Sequence, residues 1–375
     1  MQFSMILEAQ MADISPENER QVIRDCVEQV VLADELGYDR VWAVEHHSLT
    51  QYAHMSAPET FLAYVSGLTS KIRIGHGVVC LPFTMNHPIK VAERAAMLDI
   101  LSGGRLDLGV GKGATEQEAG AFMVAVEDIE AQLEESLRMI PRMWREREFA
   151  HKSDLIEVPP RSIHPDPVQQ PHPPLYMACT REDTLNKAGE WGVGALCLGF
   201  AGPEDVATKN EVYRAALARG TEKSRVGEAV TDHLAALCPA IVLDDSERAR
   251  RIGHRGQRFF AESIAHWYGH GPPPGVYADD DDDAEILRQE GEAVVAYLHE
   301  ERIEAGTETT GLFNPNHAYG NTSDAIAYIE RLEEAGADEV MLLMQMGTVP
   351  QWAILESIRN IAAEVIPHFR SRHAV

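Results

Sequence analysis

Short apolar runs alternate along the chain with longer stretches of helical periodicity. Runs of strand length occupy 3–9, 40–45, 72–81, 105–110, 174–179, 194–199, 234–243 and 339–346. Between them, apolar residues recur at three- and four-residue spacing, as on one face of a helix. The stretch 16–36 shows the pattern clearly. Val22, Cys26, Val30 and Ala33 form one stripe, Pro16 sits near the first turn and Gly37 supplies the stop. Further helices are expected over 57–69 with Ser56 as N-cap, 88–101 ended by Ser102-Gly103-Gly104, 115–146, 181–189, 203–219, 246–270, 284–304, 323–335 capped by Thr322 or Ser323, and 350–366. Residues 159–174 hold seven prolines and read as an ordered loop.

Strands alternating with helices imply a parallel sheet covered by helices, and eight is the number that closes a barrel. The expected fold is α/β, a (β/α)8 TIM barrel forming a single domain over 1–375. The segment 246–322 is too long for an ordinary connection. It follows strand seven, on the face where barrel enzymes carry their chemistry. It is a candidate lid, with a plain surface insertion as the alternative.

Composition narrows the function classes. Acidic residues exceed basic ones by 59 − 33 = 26. Such a field repels phosphate backbones and argues against nucleic-acid binding, though not against a local site for one small phosphate. No stretch of ~20 apolar residues exists, so no membrane span is expected. The N-terminus lacks a basic region followed by an apolar core, so no signal peptide is expected either. Cys26, Cys80, Cys179, Cys197 and Cys238 are odd in number and scattered, and no CxxC occurs. They read as reduced thiols of a cytoplasmic protein.

Candidate chemistry gathers at the strand ends. VWAVEHH (41–47) ends in Glu45, His46 and His47. Neighbouring side chains at a strand end point opposite ways, so one histidine can enter the barrel mouth as an acid or base while Glu45 orients it. A hydrogen-bonded structural pair is the plainer alternative. Adjacent histidines without HExxH have the wrong spacing for zinc, so no metal is expected. Gly109-Val110-Gly111-Lys112-Gly113 lets a flat or phosphorylated ligand approach the backbone and adds a positive charge, or is simply a tight turn. Ala178-Cys179-Thr180-Arg181 opens a helix, a ready phosphate site or an ordinary cap. In the Met-rich strand, Gln345 is the polar exception and a candidate to face a ligand. The run Asp279–Asp283 lacks EF-hand spacing and reads as a solvated turn.

Taken in order, these blocks resemble the bacterial luciferase-like family of flavin-dependent monooxygenases. The resemblance rests on GYDRVWAVEHHS (37–48), on SAPETF through GVGKG (56–113), on PLYMACTREDTLNKAGEWG (174–192) and on GNTSDAIAYIERLEEAGADEVMLLMQMG (320–347). It implies the same barrel, with reduced FMN in its mouth supplied by a separate NAD(P)H:flavin reductase. O2 is the co-substrate, and a flavin C4a-peroxide oxygenates a small, mostly hydrophobic molecule. By resemblance, His46 is the active-site histidine and His47 its supporting neighbour. Gly77-Val78 match a position where members often carry a non-prolyl cis peptide against the flavin. Gly111, Lys112, Gly113, Cys179, Thr180, Arg181 and Gln345 complete the expected cofactor site. Phe3, Met5, Phe83 and Phe200 are candidate apolar lining. A homodimer or heterodimer is expected, with the helix at 57–69 as one candidate surface. Three alternatives remain: F420-dependent hydride transfer on the same scaffold, a non-catalytic flavin-binding partner subunit, and an unrelated metal-dependent barrel hydrolase.

Overall fold

The computed structural model describes residues 1–113, 115–275, 314 and 316–372. All eight expected strands form: β1 (Gln2–Leu7), β2 (Arg40–Ala43), β3 (Arg73–Cys80), β4 (Leu106–Gly111), β7 (Leu175–Cys179), β8 (Gly194–Cys197), β9 (Leu234–Val242) and β11 (Glu339–Leu343). Each pairs in parallel with its neighbours, and β9 pairs with both β8 and β11, so the ring closes. The helices that follow include α1 (Pro16–Leu36), α2 (Pro58–Ser66), α3 (Pro88–Ser102), α4 (Glu116–Ala121), α5 (Ile129–Arg145), α6 (Glu182–Trp191), α7 (Pro203–Arg219) and α8 (Ser246–Gly269). The chain is a TIM barrel.

Local chemistry sets the helix limits. The Ser15 hydroxyl accepts from the Asn18 N–H at 3.2 Å, and Gly37 closes α1 at φ 86, a left-handed angle that glycine adopts without Cβ conflict. Asp34, near the end of α1, accepts from the backbone N–H groups of Ser70, Lys71 and Ile72 at 2.9, 2.8 and 2.7 Å. That contact fixes the approach to β3 and so the register of the strand beside the site.

Several elements differ from expectation. The stretch 115–146 is two helices with a 3-10 turn over Val126–Asp128, because Thr115 and Glu118 close a short capped helix first. Ser56 is no cap, since α2 starts after Ala57 without a side-chain cap. The helix Thr322–Glu334 is capped by Asn321 rather than by Thr322 or Ser323. The proline-rich stretch contributes β6 (Glu157–Arg161), which pairs antiparallel with β5 (Phe149–Lys152) as an isolated ribbon. Prolines are tolerated there because each strand has a free edge. A short strand, β10 (Ala318–Gly320), adds to β9. The expected helix at 284–304 and the acidic run 279–283 lie outside the described residues.

The N-terminal end of the barrel is plugged. Arg40 bridges buried Asp107, at 2.6 Å, and buried Glu339. Arg73 also holds Asp107, at 2.7 Å. The Trp42 indole N–H donates to Glu339 at 2.8 Å, and His233 contacts it at 2.9 Å. Trp42 lies directly over Gly75, where an added Cβ would fall 2.2 Å from its ring.

Candidate active site

At the opposite end, β1 and β2 deliver a carboxylate and two histidines to one place. Glu8 follows β1 in register with Ser4 and Ile6, the inward side of a strand whose alternate residues pack outward. His46 Nδ1 lies 3.0 Å from Glu118 Oε1 and Nε2 lies 3.9 Å from Glu8 Oε2, so the imidazole stands between two buried carboxylates. Glu118 is held by its own helix start. Its second oxygen accepts from the Thr115 N–H at 3.1 Å and the Thr115 hydroxyl at 3.0 Å. Its first also accepts from the His47 backbone N–H at 3.0 Å. Burial raises the Glu118 pKa, but the His46 hydrogen bond and the remaining donors outweigh it and hold the carboxyl below its usual range. An ionised Glu118 only accepts, so His46 Nδ1 carries the proton of that bond. Nε2 is left facing Glu8 and the mouth.

Burial pulls the His46 pKa down. The Glu118 hydrogen bond and the charges of Glu8 and Glu118 outweigh it, and the net shift is upward. Glu8 goes the other way for a carboxyl. Burial raises it to about 7 against the pull of His46, and Glu118 adds to the rise. Its Oε2 is buried and makes no hydrogen bond. The folded protein therefore retains a proton on Glu8 that the unfolded chain releases near 4.5. The stability linked to this proton is complete below about 4.5 and is lost as pH rises through about 7. Glu8→Gln is expected to remove that slope. Denaturant unfolding across this interval should show the variant gaining on the parent as pH rises, and parallel curves would refute the protonated carboxyl.

The sequence pairs Glu45 with the active histidine, and here the structure corrects it. Glu45 orients His47, accepting from Nε2 at 3.0 Å, from Asn86 at 2.7 Å and from the Cys80 N–H at 3.0 Å. His47 packs its ring edge-on to Phe122, 4.7 Å between centroids. The partner of His46 is Glu118, far away in sequence and inconspicuous there except for the Thr115-x-x-Glu118 capping pattern.

The Gly77–Val78 peptide bond is cis. Val78 fills the space that β4 leaves by using glycine. A Cβ on Gly111 would fall 2.5 Å from Val78, and one on Gly109 would fall 2.2 Å from the His76 carbonyl oxygen. The two β4 glycines thus serve strand packing around the cis bond. Gly113 takes a left-handed φ of 85 just beyond Lys112.

Lys112, Arg181 and Lys187 converge on Glu130. Their nitrogens lie 2.6, 3.4 and 3.0 Å from its carboxylate oxygens. Lys187 escapes sequence reading because it sits inside α6, two turns from the expected Cys179–Arg181 block. Thr180 is exposed beside this cluster but does not cap α6. Arg181 is the N-cap, and its N–H donates to the hydroxyl of Thr184 in the first turn at 3.2 Å. Cys179 is fully buried, its Sγ directed at the Met177 and Thr184 carbonyls, so the thiol faces no ligand. Gln345 does not face the mouth either. Its Oε1 accepts from the Ala9 N–H at 2.8 Å and its Nε2 meets Cys26 Sγ at 3.1 Å. Phe3 packs outward on Phe369, 5.5 Å between centroids, and Met5 shares its side of β1, so neither lines the mouth. Phe200 does approach it, 5.4 Å from Phe260 of α8. Phe83 is partly exposed after β3.

The helix that opens the expected insertion leans over His46. Tyr52 packs on His46 at 5.1 Å and on Phe260 at 5.6 Å, and the Trp267 N–H donates to the Thr50 carbonyl at 3.0 Å. Among the described residues, no group of three or more His, Cys, Asp and Glu side chains is placed to hold a metal, and no helix is long and apolar enough to cross a membrane.

The family model of luciferase-like monooxygenases matches residues 1–339. The oxygenase component of a flavin-dependent trigonelline monooxygenase from Acinetobacter baylyi is 25% identical over 377 residues, covering 98% of this chain and 96% of that protein. Limonene 1,2-monooxygenase from Rhodococcus erythropolis is 26% identical over 92% of this chain and 81% of its own, while several other matches span about half of the relatives' length. A Sinorhizobium fredii protein without an assigned role is 31% identical over 44% of this chain and 47% of its own. An F420-dependent glucose-6-phosphate dehydrogenase from Amycolatopsis mediterranei is 31% identical over 48% of this chain and 55% of its own. Solved structures share the fold. A Streptomyces bottropensis monooxygenase superposes with a TM-score of 0.77 at 23% identity, over 98% of this chain and all of that one. The oxygenating constituent of a Pseudomonas putida 3,6-diketocamphane monooxygenase, solved with FMN, gives 0.72 at 19% identity over 98% of each chain. The relatives with an assigned role include flavin-dependent monooxygenases and an F420-dependent dehydrogenase, and this chain belongs to the luciferase-like monooxygenase family.

Proposed function

We propose that the chain is the oxygenase component of a two-component monooxygenase that uses FMNH2 and O2. The observation that carries this reading is the His46 ring, fixed through Nδ1 by Glu118 with Nε2 left to the mouth beside the unpartnered Glu8 oxygen. The residues present fit the cofactor at both ends. Lys112, Arg181 and Lys187 offer three cations to a phosphate dianion, beside the start of α6, whose free N–H groups favour anions. Lys112 supplies a point charge rather than a planar fork, so this contact is undirected. Gly77–Val78 in β3 and His46 at the end of β2 are the residues that would flank the flavin ring. Bound FMNH2 supplies the electrons that reduce O2. His46 and Glu8 hold a proton at Nε2 and Oε2 for delivery to the reacting oxygen, and Tyr52, Phe260 and α8 exclude water from that transfer.

The role of the Acinetobacter relative as an oxygenase component supports a separate flavin reductase as partner. Anaerobic titration with FMNH2, and in parallel with reduced F420, decides the cofactor. Micromolar binding of FMNH2 is expected. Preference for F420 would move the chain to the hydride-transfer branch, and binding of neither would overturn the proposal. The substrate we place among small, mostly apolar molecules, from the aromatic cover over His46.

We also infer a homodimer through α2 and α3. These two helices pack together and expose Tyr64, Met97, Ile100 and Leu101, with exposed Leu68 just after α2. Contiguous exposed apolar side chains of this kind mark an interface. Leu101→Glu is expected to convert a dimer to a monomer by light scattering, and an unchanged mass would place the contact elsewhere.

A further inference from the structure

The basic cluster has an occupant of its own. Glu130, in the first turn of α5, receives Lys112 and Arg181 on one oxygen and Lys187 on the other. These cations come from two separate elements: Lys112 from just after β4, and Arg181 and Lys187 from the start and the body of α6. Asp183 lies 3.3 Å from Arg181 and leaves the group with three positive and two negative charges. All four main partners are one-third to one-half exposed, so an ion from solvent can reach them.

A carboxylate at the focus of three cations has the size and charge sense of a phosphate group, with one negative charge where a phosphomonoester carries nearly two. Without an anion there, the three cations would repel one another and splay into water. With Glu130 there, they stay convergent and already partly neutralised. We propose that Glu130 is an exchangeable internal counter-ion. It keeps the basic cluster assembled in the flavin-free protein, and the phosphomonoester of the cofactor must displace it. The inference rests on the FMN reading above and assigns to Glu130 the selectivity of that same site.

Two consequences follow from charge alone. A dianion gains more from the three cations than the carboxylate it replaces, whereas a phosphodiester monoanion gains little. The cluster thereby favours a terminal phosphate over an internal one. The exchange also subtracts from the affinity for FMN, since the displaced carboxylate loses its partners and stays close to the phosphate. A cofactor taken up reduced and given back oxidised in each turnover benefits from such a weakened hold.

The test compares the full-length protein with Glu130→Gln, which keeps the side-chain shape and removes the charge. Affinities for FMN and for riboflavin, which lacks the phosphate, are read by flavin fluorescence. In parallel, the thermal stabilisation by inorganic phosphate is compared with chloride at equal ionic strength. Removing one like charge next to the phosphate is expected to tighten FMN about tenfold or more and leave riboflavin unchanged. The phosphate-induced stabilisation should grow in the variant. Unchanged or weaker FMN binding by Glu130→Gln, with riboflavin bound as before, would make Glu130 a fixed tether for the lysines and overturn the proposal. If neither flavin binds either protein, oxidised or reduced under anaerobic conditions, the flavin reading fails, and the phosphate measurement alone decides on the counter-ion: a larger shift in the variant upholds it and an equal or smaller one rejects it.

Discussion

Replacing His46 by Asn is expected to lower product formation by about a hundredfold to ten-thousandfold, the usual worth of a positioned acid or base. The asparagine amide can reproduce the Nδ1–H bond to Glu118, so the surroundings keep their shape. It has no atom at the Nε2 position, 3.9 Å from Glu8 Oε2, and no group that exchanges a proton near neutral pH. FMNH2 affinity should change only slightly, because the basic cluster of Lys112, Arg181 and Lys187, proposed to hold the phosphate, lies after β4 and on α6. Reductant should then be consumed with release of hydrogen peroxide in place of oxygenated product. The measurement is product per NADH oxidised, with the reductase in excess. Full coupling in the variant would remove His46 from the chemistry and leave it a packing residue.

The largest effect on stability is expected from Arg40→Met. Arg40 joins Asp107 to Glu339, both wholly buried. Burial pushes the Glu339 pKa up, but Arg40 and His233 overcome it and hold the carboxyl at about 2. The stability from this ionised form is present above its unfolded value of 4.5 and is lost as pH falls through about 2. Methionine matches the bulk of arginine without its charge and leaves two carboxylates facing each other in the barrel. Arg73 still serves Asp107, and Trp42 and His233 still serve Glu339, so the loss is partial. About 3–5 kcal/mol is expected, as for breaking a buried ion pair by removing one partner. Guanidinium unfolding at neutral pH checks the size. Acid unfolding should also start at higher pH in the variant. A variant as stable as the parent would mean that the plug tolerates an uncompensated charge.

The barrel is legible in the sequence because most of its strands are short apolar runs bounded by glycine or a charge, and the 3.6-residue stripes between them are long. The ribbon of β5 and β6 is not, since Pro159 and Pro160 break every local strand signal and only pairing with Phe149–Lys152 rescues the segment. Part of the site is legible for the same reason as the fold. His46, Lys112 and Arg181 stand at strand ends or helix starts, where the pattern already points. The residues that complete the site do not. Glu8 reads as one more polar residue after a strand, Glu118 as a helix cap, and Glu130 and Lys187 as solvated helix positions. Each acquires meaning only through a partner tens of residues away, and no spacing rule reports such a distance. Gln345 misleads for the converse reason. A lone amide in an apolar strand signals a need for hydrogen bonds, and here the Ala9 backbone and Cys26 meet it.

The plug beneath Trp42 has a consequence for traffic. With Arg40, Asp107, Glu339 and the indole closing the lower end, no reactant crosses the molecule along the axis of the strands. On the proposed function, flavin, oxygen and organic substrate would share the opposite mouth of the barrel, and oxidised flavin and product would leave by it. A guest that enters first would then sit between the plug and whatever follows it, and a closed lower end of this kind favours ordered over random binding.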